Sequence, residues 1–73
     1  MLKGTRQGVV QRTQTISTHG QLSLDVFFID PEDPDEELRH ARVGTESTPR
    51  DMEKGDTVIL HYLMGQVTHI TKE

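Results

Sequence analysis

The sequence predicts a mainly β fold: a small five-stranded barrel, OB-like or SH3-like, or a curled antiparallel sheet, formed by a single domain over residues 1–73. Two observations lead to this prediction. β-Branched and aromatic residues gather in short runs, and glycine or proline separates these runs from one another. Because the chain has 73 residues and only 32% of them are hydrophobic, its core must be small. We therefore expect a homo-oligomer or a protein partner to add stability.

The first two strands are predicted at residues 8–16, GVVQRTQTI, and 21–30, QLSLDVFFID. Alternation in the second run places four apolar side chains on one face, Leu22, Leu24, Val26 and Phe28. A three-residue connection, Thr18-His19-Gly20, would put the glycine in the left-handed conformation that such hairpins favour.

This connection also sets the register of the first hairpin. Ile16 then pairs with Leu22, and Val10 pairs with Phe28. The same register turns Arg12 towards the apolar face, which is unfavourable for a charged side chain. A bulge in the first strand, or a barrel mouth near Arg12, would relieve this conflict.

Residues 34–43 are predicted to form one short helix. Asp33 can cap its first turn, Pro34 suits the first helical position, and Gly44 can end it. The pattern leaves one alternative open, which is a strand from Arg39 to Thr45.

The last two strands are predicted at residues 57–64, TVILHYLM, and 67–72, VTHITK. A polar connection, residues 45–56, precedes them. Gly65-Gln66 fits a two-residue turn with glycine in the first position.

Two histidines of this hairpin raise the question of a metal site. With Gly65-Gln66 as the whole loop, His61 faces Ile70 and His69 faces Tyr62. The two histidines would then lie on opposite sides of the sheet, because neighbouring side chains alternate. This register predicts no shared metal site, and it predicts that His69 stacks on Tyr62.

Other sequence patterns give no support for a metal, a cofactor or catalysis. A calcium loop starting at Asp30, in the acidic run DPEDPDEE of residues 30–37, would require glycine at its sixth position and glutamate at its twelfth, but these positions are Asp35 and Ala41. Glu36 and His40 are spaced as an ion pair on a helix. Neither a nucleophile elbow nor a phosphate-binding glycine motif is present in the sequence. We therefore expect a protein that is not an enzyme and has no cofactor.

Residues 44–65, GTESTPRDMEKGDTVILHYLMG, resemble the segment that leads into the Val-x-x-His-Tyr strand of FKBP-type prolyl isomerases. The resemblance covers less than a third of the chain. In that family a longer segment with a helix and an aromatic pocket follows, whereas eight residues follow Gly65 here. The resemblance therefore implies a strand at His61 and Tyr62 and no isomerase activity. The pattern of turn, strand, tight turn and strand also resembles OB-like and SH3-like barrels.

Charge is distributed unevenly along the chain. Lys3, Arg6 and Arg12 precede Asp25, the first acidic residue, whereas the rest of the chain brings the net charge to −4. A basic end can attract a polyanion. One hypothesis is therefore an OB-like protein that binds nucleic acid through its N-terminal strand, with His19 nearby. Three aromatic residues are few for a protein that stacks bases.

The leading hypothesis is a small non-enzymatic β-barrel binding module that acts through protein–protein interaction or assembly. The alternation that buries Phe28 turns Phe27 and Ile29 to the opposite face, where they are candidates for a partner surface. They would instead be covered if the predicted helix packed on them through Leu38 and Ala41.

The sequence also bears on the compartment. It contains no cysteine, which suits a reducing environment. It has no apolar run near the length of about 18 residues that crosses a bilayer, and the first residues lack the apolar segment of a signal peptide. We expect a soluble cytoplasmic protein without a membrane partner.

Overall fold

A computed structural model describes residues 3–73. Its elements are β1 Lys3–Thr18, β2 Gln21–Ile29, β3 Arg39–Gly44, a single 3-10 turn Thr45–Ser47, β4 Thr57–Leu63 and β5 Gln66–Lys72. The strands form one sheet in the order β3-β2-β1-β4-β5, and every neighbouring pair is antiparallel. The sheet curls until β3 and β5 approach each other, without a hydrogen-bonded ladder between them. The predicted mainly β fold is confirmed as a curled sheet that is not closed.

The core lies on the inner face of the curled sheet. Its buried apolar residues are Val10, Val26, Phe28, Ala41, Val43, Val58, Leu60 and Ile70. They occupy alternate positions of their strands, because successive side chains of a strand point to opposite faces. Curling brings the inner faces of all five strands around this one cluster, so the fold buries a core without a second layer.

The first hairpin has a shorter loop than predicted. Thr18 pairs with Gln21, so the turn contains only His19 and Gly20, with φ angles of 51° and 80°. Two positive φ values are the signature of the turn whose twist matches that of the flanking strands. The predicted pairing of Ile16 with Leu22 is therefore wrong: Ile16 pairs with Ser23, and Leu22 is 52% exposed.

A bulge in β1 corrects the register further along the hairpin. The ladder shifts between Val10 and Arg12, so that Val10 lies opposite Phe28 while Arg12 lies opposite Phe27. The predicted pairing of Val10 with Phe28 is confirmed, and of the two alternatives for Arg12 the bulge is the one present. Because one extra residue reverses the alternation, Arg12 points away from the core.

The predicted helix at residues 34–43 is wrong, and the alternative strand is present as β3. Asp33 does cap, but it accepts hydrogen bonds from the amides of Asp35 and Glu37 within turns. Glu36 then has a positive φ of 48°, which an α-helix cannot contain. Pairing with β2 places six residues of β3 in the sheet, so tertiary contacts outweigh the local capping pattern.

No helix in the described part of the chain is long and apolar enough to cross a membrane.

The last hairpin also differs from its predicted register. Leu63 pairs with Gln66, and the turn residues are Met64 and Gly65, with φ angles of 53° and 83°. The ladder then shifts beside His61, where Thr68 is the extra residue on β5. The displaced turn shifts the pairing by two residues and keeps the faces, whereas the bulge changes which side chains share a face.

Candidate functional site

Phe27 and Ile29, predicted as a partner surface, lie together on the outer face of the sheet. Both are half-buried and alternate with the buried Val26 and Phe28. The helix that could have covered them does not form. Leu38 is instead 59% exposed, and the prediction that Leu38 and Ala41 would form an apolar helical face is wrong, because Ala41 lies in the core.

The Phe27 ring is held between two side chains from neighbouring strands. The guanidinium carbon of Arg12 lies 4.3 Å from the ring centroid, a favourable cation–π distance. The His40 ring centroid lies 4.9 Å away on the other side, with the two ring planes inclined by 35°. Both contacts follow from the register, because Phe27 pairs with Arg12 on β1 and with His40 on β3.

Two further apolar residues extend this surface, and sequence reasoning missed them. Val9 of β1 lies directly opposite Ile29. Ile59 of β4 is on the same face, two positions from Thr57, which pairs with Val9. Both are half-buried. Alternation around the buried Val58 and Leu60 could have identified Ile59. Val9, Phe27, Ile29 and Ile59 together are called the outer apolar patch below.

A charged network borders the patch at Asp25. Arg42 donates two hydrogen bonds to this carboxylate, from Nε at 2.6 Å and from Nη2 at 3.1 Å, and the His40 Nε2 atom lies 3.2 Å from Oδ1. The Asp25 side chain is only 8% exposed. The hydrogen bonds from Arg42, aided by His40 and opposed by burial, lower the pKa of Asp25 from 3.8 to about 2.

Asp25 is expected to make the stability of the folded state sensitive to acid. Its ionised form stabilises the folded state above pH 3.8, and this contribution is lost as the pH falls from 3.8 through about 2. We expect Asp25→Asn to be less stable than the wild type at pH 7, because Arg42 loses its charged acceptor, and to lose less stability between pH 4 and pH 2. Urea unfolding across this pH range measures both effects.

Asp35→Asn is the matched control for Asp25→Asn. Asp35 is exposed in the loop before β3, and its own carboxylate is not part of the network at Asp25. The control should keep the wild-type acid profile. If the stability of Asp25→Asn fell with pH in parallel with that of the wild type, Asp25 would not be a source of the stability lost in acid.

The residues predicted to contact nucleic acid are not brought together. Arg6 lies on the inner side of β1, opposite Leu60, and its Nη1 atom is 3.2 Å from Oδ2 of Asp30. Arg12 lies on the outer face against Phe27. Lys3 and His19 are at opposite ends of the long strand β1, His19 in the turn that follows it. The four side chains therefore do not form one continuous basic surface.

His61 and His69 lie on the same face of the β4–β5 hairpin, contrary to the prediction. They pair directly in the register, and their rings stack with centroids 4.0 Å apart and planes inclined by 8°. Tyr62 pairs with Val67 instead and packs against the core. The extra residue Thr68 is the physical reason, because a one-residue shift moves a side chain to the other face.

The outer face thus combines an apolar centre with a polar border. Arg12 and His40 flank Phe27 from the two neighbouring strands, and Asp25 with its partner Arg42 lies beside them. Within residues 3–73, no group of three or more His, Cys, Asp or Glu side chains is placed to hold a metal ion.

No protein-family model matches this chain, and comparisons with curated proteins and with solved structures found no match either.

Proposed function

We propose that this protein is a small non-enzymatic binding module that acts through protein–protein contact or self-assembly. The observation that supports the proposal is the outer apolar patch. Phe27 and Ile29 are half-buried on the outer face of the sheet. All five strands of residues 3–73 lie in this one sheet, and no α-helix is present there to pack on the outer face. A half-buried apolar group on an uncovered sheet face gains free energy when a partner removes it from water.

The composition of the surface around Phe27 also favours a protein partner. Aromatic and arginine side chains are enriched at the centres of protein interfaces. Arg12 and His40 hold the Phe27 ring from both sides, so little side-chain freedom remains to be lost on binding. The network of Asp25 with Arg42 supplies a polar border that can select among partners.

Nucleic-acid binding is the alternative, and fewer observations support it. Arg6 already has an acidic neighbour in Asp30, and Arg12 is engaged with Phe27. The net charge of −4 would repel a polyanion at long range. Base stacking on strand β1 would also lack aromatic side chains, since β1 contains none.

A charge placed in the outer apolar patch tests the proposal. Ile29→Lys is expected to abolish association, because a lysine in the centre of an interface leaves a buried charge without a partner. Sedimentation velocity over a concentration series measures self-association, and affinity capture with the same variants measures binding to another protein. Circular dichroism verifies that each variant is folded.

Ile16→Lys is the matched control for Ile29→Lys. Ile16 is also a half-buried isoleucine on the outer face, but it pairs with Ser23 near the end of the first hairpin, away from the patch. We expect this variant to associate like the wild type. Equal loss of association in both variants would contradict a specific surface.

Saturable, salt-sensitive amide shifts in residues 3–24 on addition of a single-stranded oligonucleotide would favour the nucleic-acid alternative.

A further inference from the structure

We propose that His61 and His69 form a two-histidine binding site for a late first-row divalent cation, Cu²⁺, Ni²⁺ or Zn²⁺. The inference is independent of the proposed protein contact. It rests on the direct pairing of the two residues across β4 and β5 and on the contact of their rings at a centroid distance of 4.0 Å. Imidazole nitrogen is a preferred ligand of these three metals.

The separation of the two residues suits coordination of one ion. Side chains that pair directly across antiparallel strands have Cβ atoms about 4.5–5.5 Å apart. Two imidazoles at this spacing can turn from their stacked positions so that one nitrogen of each lies about 2.0–2.1 Å from the same cation. His69 is exposed and His61 is half-buried, so solvent has access to both rings. Rotation of the two rings therefore displaces no core residue.

Each ring has one nitrogen within hydrogen-bond distance of a threonine hydroxyl. The Nε2 atom of His61 is 2.9 Å from the hydroxyl of Thr71, and the Nδ1 atom of His69 is 3.2 Å from the hydroxyl of Thr68. A ring nitrogen that donates its N–H to the threonine hydroxyl leaves the other ring nitrogen unprotonated, and this second nitrogen is then the metal ligand. His61 would therefore bind through Nδ1 and His69 through Nε2.

The set of donors determines which ions can bind. Within residues 3–73 no third His, Cys, Asp or Glu side chain joins the pair, so water would fill the remaining coordination positions. A cleft of about 410 Å³ beside the pair, bordered by Lys3, Thr5 and Tyr62 among others, has room for these waters. Two neutral nitrogen ligands do not attract Ca²⁺ or Mg²⁺, which require oxygen. Among the proposed ions, Cu²⁺ should bind more tightly than Ni²⁺.

Calorimetric titration with Ni²⁺ tests the site in the full chain. His69→Ala is the principal variant, because His69 is exposed and its loss does not disturb the core; His61→Ala is the second. Each substitution should weaken binding by at least about tenfold, since even the loss of a residue that supports a ligand costs this much. His19→Asn is the control, because asparagine tolerates the positive φ at that turn, and it should leave the affinity unchanged.

Paramagnetic broadening of amide signals by Ni²⁺ locates the ion. We expect the broadening to centre on His61, Thr68 and His69. Unchanged affinity in folded His69→Ala would overturn the proposal. Broadening centred on His19 or His40, or the absence of saturable binding by the wild type at millimolar Ni²⁺, would overturn it as well.

Discussion

Replacing Leu60 with alanine is expected to destabilise the fold by about 2–5 kcal/mol. Leu60 is fully buried in the centre of β4 and packs with the other inner-face residues. Removing three carbons there loses the transfer free energy of the side chain and leaves a cavity that a close-packed interior fills only in part. Because a domain of this size has a total stability of only about 4–11 kcal/mol, the loss would be a large fraction of the whole. Urea unfolding at pH 7 measures it.

Leu63→Ala is the matched control for Leu60→Ala. Leu63 is in the same strand, but it is on the outer face and 37% exposed. The same chemical change there should cost much less, because the side chain is already in contact with water and its removal leaves no enclosed cavity. Similar losses in the two variants would contradict the assignment of Leu60 to the core.

Gly8→Val is expected to destabilise the fold by about 1–3 kcal/mol. Gly8 is buried in β1 and faces the core. A Cβ atom at this position would lie 2.9 Å from Cδ1 of Leu60 and 3.0 Å from Cδ2 of Phe28, which is too close for either contact to remain unchanged. Valine is favoured in strands, so a loss of stability would report the crowding of the core and not the strand propensity. Thermal unfolding measures the change.

Gly4→Val provides the comparison within the same strand. No heavy atom lies within 4 Å of the Cβ position at Gly4, and the residue is exposed. This variant should be as stable as the wild type or more stable, because valine restricts the unfolded chain and suits a strand. A loss of stability at Gly4 equal to that at Gly8 would show that steric crowding is not the cause.

Much of the fold could be predicted from local patterns. The alternation in residues 21–30 identified Val26 and Phe28 as core and turned Phe27 and Ile29 outwards, as observed. The conflict at Arg12 predicted either a bulge in the first strand or a barrel mouth near Arg12, and the bulge is present. These predictions depend on the two-residue period of a strand, which the order of apolar and polar residues displays directly.

The errors have a common physical cause. The residues at 34–43 matched several helix-capping patterns, each of which contributes only about 1 kcal/mol, and residues 39–44 pair with β2 in the sheet instead. The first turn is one residue shorter than predicted, and the last turn is displaced by one position towards the N-terminus. The twist of the strands there favours a turn with two positive φ values, which His19 and Met64 adopt despite their side chains.

Some residues of the candidate sites could be identified from the sequence, and others could not. Phe27 and Ile29 could be identified from the sequence, because their orientation follows from a single strand. The contacts of Arg12 and His40 with Phe27 could not, since they depend on how three strands are aligned. The pairing of His61 with His69 depends on a bulge at Thr68, and no local pattern around that threonine distinguishes a bulge from a regular strand.

The sequence by itself determined the fold class, the residues of the inner face in β2, and the uneven charge along the chain. Each of these follows from composition or from the alternation within one strand. Only the tertiary structure decided that residues 39–44 form a strand and not part of a helix over Phe27 and Ile29, and that the two histidines meet. The physical reason is that register and bulges are set by pairing between segments distant in sequence, and a shift of one residue exchanges the two faces of a sheet.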